Sequence, residues 1–251
     1  MARRSYCYRR GRYNRCPFSS CFAPLKLLAI ETSTQWCSAA LLLANDVRIR
    51  EADAGQRHSE LLLPMVDSLL KEAGLGVREL DGIAFGSGPG SFTGLRIACG
   101  VAQGMALGAD LRLVPVCSLL ALAEASGQER VLSCLDARMG ELYVAAYRRQ
   151  GGTWSEVIAP ILCKPMAVPA LEGGEWFGAG SGFGVHGEAL RAGYGSQLVG
   201  ADAQLIPHAR EVARLSVRAF AAGQGLSPEH AAPLYVRDKV ALKTTERAGA
   251  M

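Results

Sequence analysis

From Leu25 onward the apolar residues come in strand-length blocks separated by short polar turns. The longest are Leu25–Ile30 and Ala39–Ala44, with the polar run Glu31-Thr32-Ser33-Thr34-Gln35 between them, which reads as strand, acidic turn, strand. A turn at Asn45-Asp46 leads into a polar strand over Val47–Ala52. The period then changes to that of a helix over Ser59–Ala73, with Leu62, Val66, Leu69 and Ala73 on one face. A strand at Gly82–Phe85, a glycine loop with a small-residue helix running to near Gly108, and a strand at Leu111–Val114 complete a β-β-β-α-β-α-β unit. The second half repeats this order more loosely. Strands are predicted near Val131, Leu142, Val157 and Trp176, a helix near Val185–Ala192 and a longer one over Ala209–Ala222.

The stretches LLAIETSTQWCSAALLL and VLSCLDARMGELYVAAY align without gaps at an offset of 105 residues, which places Glu31 against Asp136. Two tandem units, each opening with an acidic residue in its first hairpin, predict an α/β protein of the actin-like, Hsp70-like (ASKHA) class with two ribonuclease-H-like β-β-β-α-β-α lobes. The expected division is 25–128 and 129–251, with 1–24 outside both. Such folds hold nucleotide phosphates between paired hairpins. Here Glu31, Thr32 and Ser33 lack the glycine that lets a backbone crowd a phosphate, and Asp136 is followed by Ala137 and Arg138. The hairpins therefore read as a vestigial nucleotide site.

Composition changes little in this picture and charge changes one part of it. With 251 residues, 49% of them apolar and 20% charged, the chain can bury a sizeable core. No apolar run approaches the roughly 20 residues of a membrane span. The first 24 residues carry six of the 27 Lys and Arg and no acid, leaving 21 cations against 23 acids, so a net +4 becomes −2 without them. That leader reads as a targeting peptide, an RNA-contacting arm, or a disordered or mis-annotated extension. The last is preferred, because the first strand begins at Leu25, which a TTG or CTG start codon would encode. Eight cysteines form no CxxC pair, which points to free thiols in a reducing, cytoplasmic setting without a zinc site or disulfide framework.

The densest motif is GSGPGSFTGLR, residues 86–96. Gly86, Gly88 and Gly90, with Pro89 between them, set a backbone path into the following helix, making a candidate anion site beside Ser91 and Thr93. Without a Walker lysine, Ser91 and Thr93 read first as N-cap hydroxyls. Gly100, Gly104 and Gly108 recur every four residues and lie on nearly one helix face, for tight packing on the protein's own sheet or on another helix. His58 precedes Ser59, a candidate N-cap, and reads as a capping or interface residue rather than a base. His186, His208 and His230 stand apart and read as surface or structural histidines. Arg237, Lys239, Lys243 and Arg247 read as a solvated tail, with tRNA phosphates as the alternative.

AIETST, RHSELLLPMVDSLL, GSGPGSFTGLRIACGVAQGMALG and PLYVRDKVALKTTER together closely resemble the bacterial TsaB (YeaZ) family over Leu25–Arg247. The resemblance implies a non-catalytic subunit that pairs with the threonylcarbamoyltransferase TsaD. That enzyme forms N6-threonylcarbamoyladenosine at adenosine 37 of tRNAs reading ANN codons. It also implies TsaE in a larger complex, indirect contact with tRNA, a homodimer when TsaD is absent, and no membrane. No cofactor is expected on this chain, ATP and metal belonging to the partners. Pairing is expected through helices 59–73 and 93–108, with an outward stripe of His58, Leu62, Met65, Leu69, Leu95, Cys99 and Ala102 beside Gly100 and Gly104. The catalytic paralogue's two metal-binding histidines correspond to Ser118 and Leu122, its hairpin Asp to Gln35, and its phosphate loop to Asp136-Ala137-Arg138. Its metal-binding Asp has no counterpart near Ala209–Ala222. The rival readings are a glycoprotease-like peptidase, for which no HExxH or Ser-His-Asp spacing exists, and an independent nucleotide-binding enzyme.

Overall fold

The computed structural model describes residues 6–9, 12–15 and 25–236. Within the leader, β1 (Tyr6–Arg9) and β2 (Arg12–Arg15) pair with each other as an antiparallel hairpin. The rest of the leader and the tail cations Arg237, Lys239, Lys243 and Arg247 lie outside the described residues.

Two five-stranded sheets share one strand order. The first, β5-β4-β3-β6-β7, is built from β3 (Lys26–Glu31), β4 (Trp36–Leu43), β5 (Asp46–Asp53), β6 (Gly82–Gly88) and β7 (Leu113–Cys117). The second, β10-β9-β8-β11-β12, contains β8 (Arg130–Arg138), β9 (Glu141–Gln150), β10 (Thr153–Cys163), β11 (Trp176–Ala179) and β12 (Leu198–Asp202). In each, the first three strands form an antiparallel meander and the last two pair parallel to the opening strand's side. The repeat seen in the sequence is thus a repeat of architecture, and the fold is the actin-like pair of lobes.

The apolar run of β3 is continuous because both of its faces are covered. Leu28 and Ile30 face α1 (His58–Ala73) and α2 (Phe92–Ala109), in a core with Leu62, Leu69, Phe85 and Ala98. Leu27 and Ala29 face α5 (Ala209–Ala221), beside Ala84, Val212 and Ala213. In the second lobe, α4 (Gly182–Tyr194) places Phe183, Leu190 and Tyr194 against Leu132, Cys134 and Leu142. On the opposite face α3 (Ser118–Ser126) places Leu119 and Leu122 against Val131, Leu135 and Tyr147.

The division at 128/129 separates the two sheets, and the helices cross it. α3 precedes that point and packs on the second sheet, whereas α5 follows it and packs on the first. After α5 the chain bridges the edge of β7, Leu113 and Leu226 exchanging backbone hydrogen bonds of 2.9 and 2.8 Å, and then runs along α2. There Gln103 Nε2 donates to the carbonyl oxygens of Pro228 and Ala231, both at 3.0 Å. Strand β7 starts two residues later than the period suggests and ends at Cys117. Neither α3 nor β12 has a sequence signal. Ser118, Leu119, Ala121, Leu122 and Ala123 are all buried between the lobes, so α3 has no polar face to give it a helical period.

Candidate functional site

The glycine loop, between β6 and α2, meets the hairpin between β3 and β4. A Cβ on Gly86 would stand 1.9 Å from Glu31 Oε2, one on Gly90 2.4 Å from the Ser33 carbonyl oxygen, and one on Gly94 1.9 Å from the Thr32 carbonyl oxygen. Gly90 and Gly94 are required because two backbones touch there, and Gly86 because the Glu31 carboxylate fills the space a side chain would need. Thr32 Oγ1 donates to the Gly94 carbonyl at 2.7 Å, Ser91 N–H to the Ser33 carbonyl at 2.7 Å, and Gly88 N–H to Ser118 Oγ at 3.2 Å. Gly88, with φ 104°, is closed off by Leu95. The open backbone cradle expected at Gly86, Gly88 and Gly90 is therefore filled by the protein itself. Ser91 is the N-cap of α2, accepting from Gly94 N–H at 3.3 Å, while Thr93 lies exposed within the first turn and caps nothing.

Glu31 is sealed beneath this contact, 1% exposed. Its Oε1 accepts from Ser33 N–H at 2.5 Å and its Oε2 from the Ser118 hydroxyl at 2.9 Å. Burial raises its carboxyl above the ordinary 4.5, against the hydrogen bonds from Ser33 and Ser118, which lower it. A raised native pKa means that the folded state keeps a proton which the unfolded state has released. Stability from this group is therefore lost as the pH climbs from about 4.5 through the native value. Glu31→Gln should flatten that dependence, its stability relative to the parent being greater at pH 8 than at pH 5 in urea unfolding. An equal difference at both pH values would show that Glu31 does not titrate there.

Between the lobes lies a cleft of about 850 Å³, bounded by Ser33–Trp36 on one side and Asp136–Met139 on the other. Although Asp136 aligns with Glu31, it sits at the lip, and both its oxygens serve its own turn. Oδ1 accepts from Arg138 N–H at 3.0 Å, and Oδ2 is 3.3 Å from Arg138 Nη1. Among the described residues the two acids share no hydrogen-bond partner, Glu31 being held by Ser33 and Ser118 and Asp136 by Arg138.

The expected outward stripe on α1 and α2 is corrected. Leu62, Leu69 and Ala102 are fully buried, Leu95 and Cys99 are 2% and 5% exposed, and Met65 is partly buried against the same core. The apolar stripe of an amphipathic helix is its core face, so these residues hold α1 and α2 on the sheet. His58 is also buried. It opens α1 with Nε2 2.9 Å from the Thr34 carbonyl, and Arg57 rather than Ser59 occupies the N-cap position. What α2 turns outward is Arg96, Gly100, Gly104, Leu107 and Gly108, with Leu63 exposed on neighbouring α1. Among the described residues a Cβ on Gly100, Gly104 or Gly108 would meet nothing within 4 Å, so packing among those residues does not explain these glycines.

Ser118 and Leu122, which the resemblance sets against the paralogue's ligands, are wholly buried in α3. Among the described residues no three His, Cys, Asp or Glu side chains converge as a metal set. His208 Nδ1 lies 2.8 Å from Glu51 Oε2 and its ring meets Trp36 edge-on. His230 faces Ser227 Oγ at 2.8 Å and Glu229 at 3.9 Å, both through Nδ1, so its ring cannot relay a proton from one to the other as a Ser-His-acid triad requires. The five described cysteines are free, and burial pushes the Cys37 thiol up to about 11. Sequence reasoning missed the Ser118–Glu31 link and the Arg96, Phe92 and Tyr235 cluster at the cleft, because each joins residues far apart in the chain.

The sequence model of the TsaD family, described as tRNA N6-adenosine threonylcarbamoyltransferase, matches residues 49–180. The tRNA threonylcarbamoyladenosine biosynthesis protein TsaB of Escherichia coli is 37% identical over 87% of this chain and 97% of its own length. The Haemophilus influenzae TsaB is 34% identical over 87% and 96%. A Pseudomonas aeruginosa crystal structure described as similar to peptidase YEAZ superposes with a TM-score of 0.78 at 38% identity, covering 85% of this chain and all of that one. With such identity running through both lobes and nearly the full length of each relative, the chain belongs to the TsaB (YeaZ) family of tRNA threonylcarbamoyladenosine biosynthesis proteins.

Proposed function

We propose that this protein is a non-catalytic subunit that pairs with TsaD through the outward face of α1 and α2 and holds it competent for threonylcarbamoyl transfer to tRNA. The observation that carries this reading is the open glycine row of α2. Gly100 and Gly104 each cost the helix about 1 kcal/mol relative to alanine and recover nothing from contacts among the described residues. A partner helix brought close by the missing side chains offsets that cost. Leu107, one turn beyond Gly104 and 75% accessible, extends that face, and Leu63 on α1 is 51% accessible. In the absence of TsaD, a second copy covers it as a homodimer. TsaE joins the larger assembly, ATP and metal reside on the partners, the reacting adenosine of tRNA is held by TsaD, and the complex works in the cytoplasm. In support, Ser118 and Leu122 supply no imidazole where the paralogue has its histidines, and no described helix is long and apolar enough to cross a membrane.

The test is single-turnover tRNA threonylcarbamoylation with TsaD, TsaE and threonylcarbamoyl-adenylate, with and without this chain. Product should form only when the chain is present, and none from the chain alone. Equal product without it would end the activating-subunit reading.

A further inference from the structure

The lips of the interlobe cleft carry chemistry that the buried hairpin and the glycine row of α2 leave unused. Phe92, Met139, Val185, Leu234 and Tyr235 are large, exposed apolar side chains, and all five line this one cleft. Single exposed apolar residues are ordinary, whereas a cluster of them marks a binding surface. Phe92 and Tyr235 lie with ring centroids 5.9 Å apart. The Arg96 guanidinium carbon is 3.3 Å from the Phe92 centroid and 5.6 Å from that of Tyr235.

On the opposite lip Arg138 is 87% exposed, held in a turn where Arg138 and Met139 both adopt positive φ, 63° and 55°. Non-glycine residues take up that conformation at a cost, and they persist in it where the arrangement has a use. Asp136 is the sole acid in the described lining, and its oxygens are engaged by Arg138. Deep in the cleft the glycine loop is stopped by Thr32 and Ser33, so a phosphate finds no backbone cradle there. Aromatic faces at a rim, with a guanidinium on either side, suit a strand lying across the mouth. Unpaired bases stack on aromatic rings and arginine planes, and the phosphates between them seek the arginines.

We propose that the mouth of the interlobe cleft binds an unpaired RNA strand directly, with bases stacked on Tyr235 and Phe92 and phosphates drawn to Arg96 and Arg138. This contact belongs to the chain by itself and does not depend on pairing with TsaD.

The experiment titrates the full chain, without any partner, into a fluorescein-labelled unstructured RNA of about 12 nucleotides and reads anisotropy at roughly 50 and 200 mM KCl. Binding should weaken with salt. Tyr235→Ala should weaken it about tenfold, the equivalent of one lost base stack, while Tyr235→Phe retains it. Arg138→Ala should reduce the log–log salt slope by about 0.7, one phosphate contact on a single strand. Arg78→Ala, in the turn before β6, should bind as the parent does. No binding at the lower salt would overturn the proposal. So would parental affinity and slope in both Tyr235→Ala and Arg138→Ala, a result that assigns any binding to the arginine-rich leader.

Discussion

Gly94→Ala is expected to destabilise the protein by roughly 3 kcal/mol, at the upper end of the usual cost of overpacking. The added Cβ would lie 1.9 Å from the Thr32 carbonyl oxygen, and neither side of that contact can give way cheaply. Thr32 directly follows β3 and is itself fully buried, and its Oγ1 donates to the carbonyl of the same glycine at 2.7 Å. Relieving the clash therefore means parting α2 from the hairpin, which also releases the 2.7 Å bond from Ser91 N–H to Ser33 and uncovers Glu31. For a domain of this size the midpoint of thermal unfolding should fall by about 6–12 °C. A change of less than about 2 °C would mean that loop and hairpin are not in contact in solution. Helix propensity alone points the other way, since alanine favours a helix over glycine by about 1 kcal/mol.

Six and ten residues further along the same helix the sign reverses. Gly100→Ala with Gly104→Ala should stabilise the isolated chain by about 2 kcal/mol, raising its melting midpoint by about 4–8 °C, because both positions are interior to α2 and open to solvent. Gly100→Leu with Gly104→Leu should also fold, since side chains there meet no neighbour, yet should abolish pairing with TsaD and with it product formation. Analytical ultracentrifugation of the mixture reads the pairing and calorimetry of the chain alone reads the folding. A leucine variant that is folded, pairs normally and supports full tRNA modification would remove this face from the interface. One that is unfolded would show that the glycines serve the chain's own packing after all. The two glycine sets share a residue type and a helix, and they differ only in what stands opposite.

Much of the architecture was legible in the chain itself. The alternation of apolar blocks and turns located β3 to β6, α1 and α2, and the gapless match of Glu31 with Asp136 announced two equivalent lobes. Both signals are local, arising from backbone periodicity and from the need of each sheet to bury its faces. What they could not carry is direction relative to a neighbour. Leu62, Leu69, Cys99 and Ala102 look equally apolar whether a helix meets its own sheet or a partner, and only packing with Phe85 and Ile30 makes them core.

The reach of α3 and α5 to the sheet on the far side of the 128/129 division was likewise a tertiary decision. So was the burial of Glu31 against Ser118, 87 residues away. The glycines give the sharpest case. Sequence alone determined that α2 and its loop would be glycine-rich, because composition is written there. Only the fold decided that Gly86, Gly90 and Gly94 answer to backbone and carboxylate oxygens within the molecule while Gly100, Gly104 and Gly108 face open space, because steric exclusion is a property of what lies across from a residue and not of the residue itself.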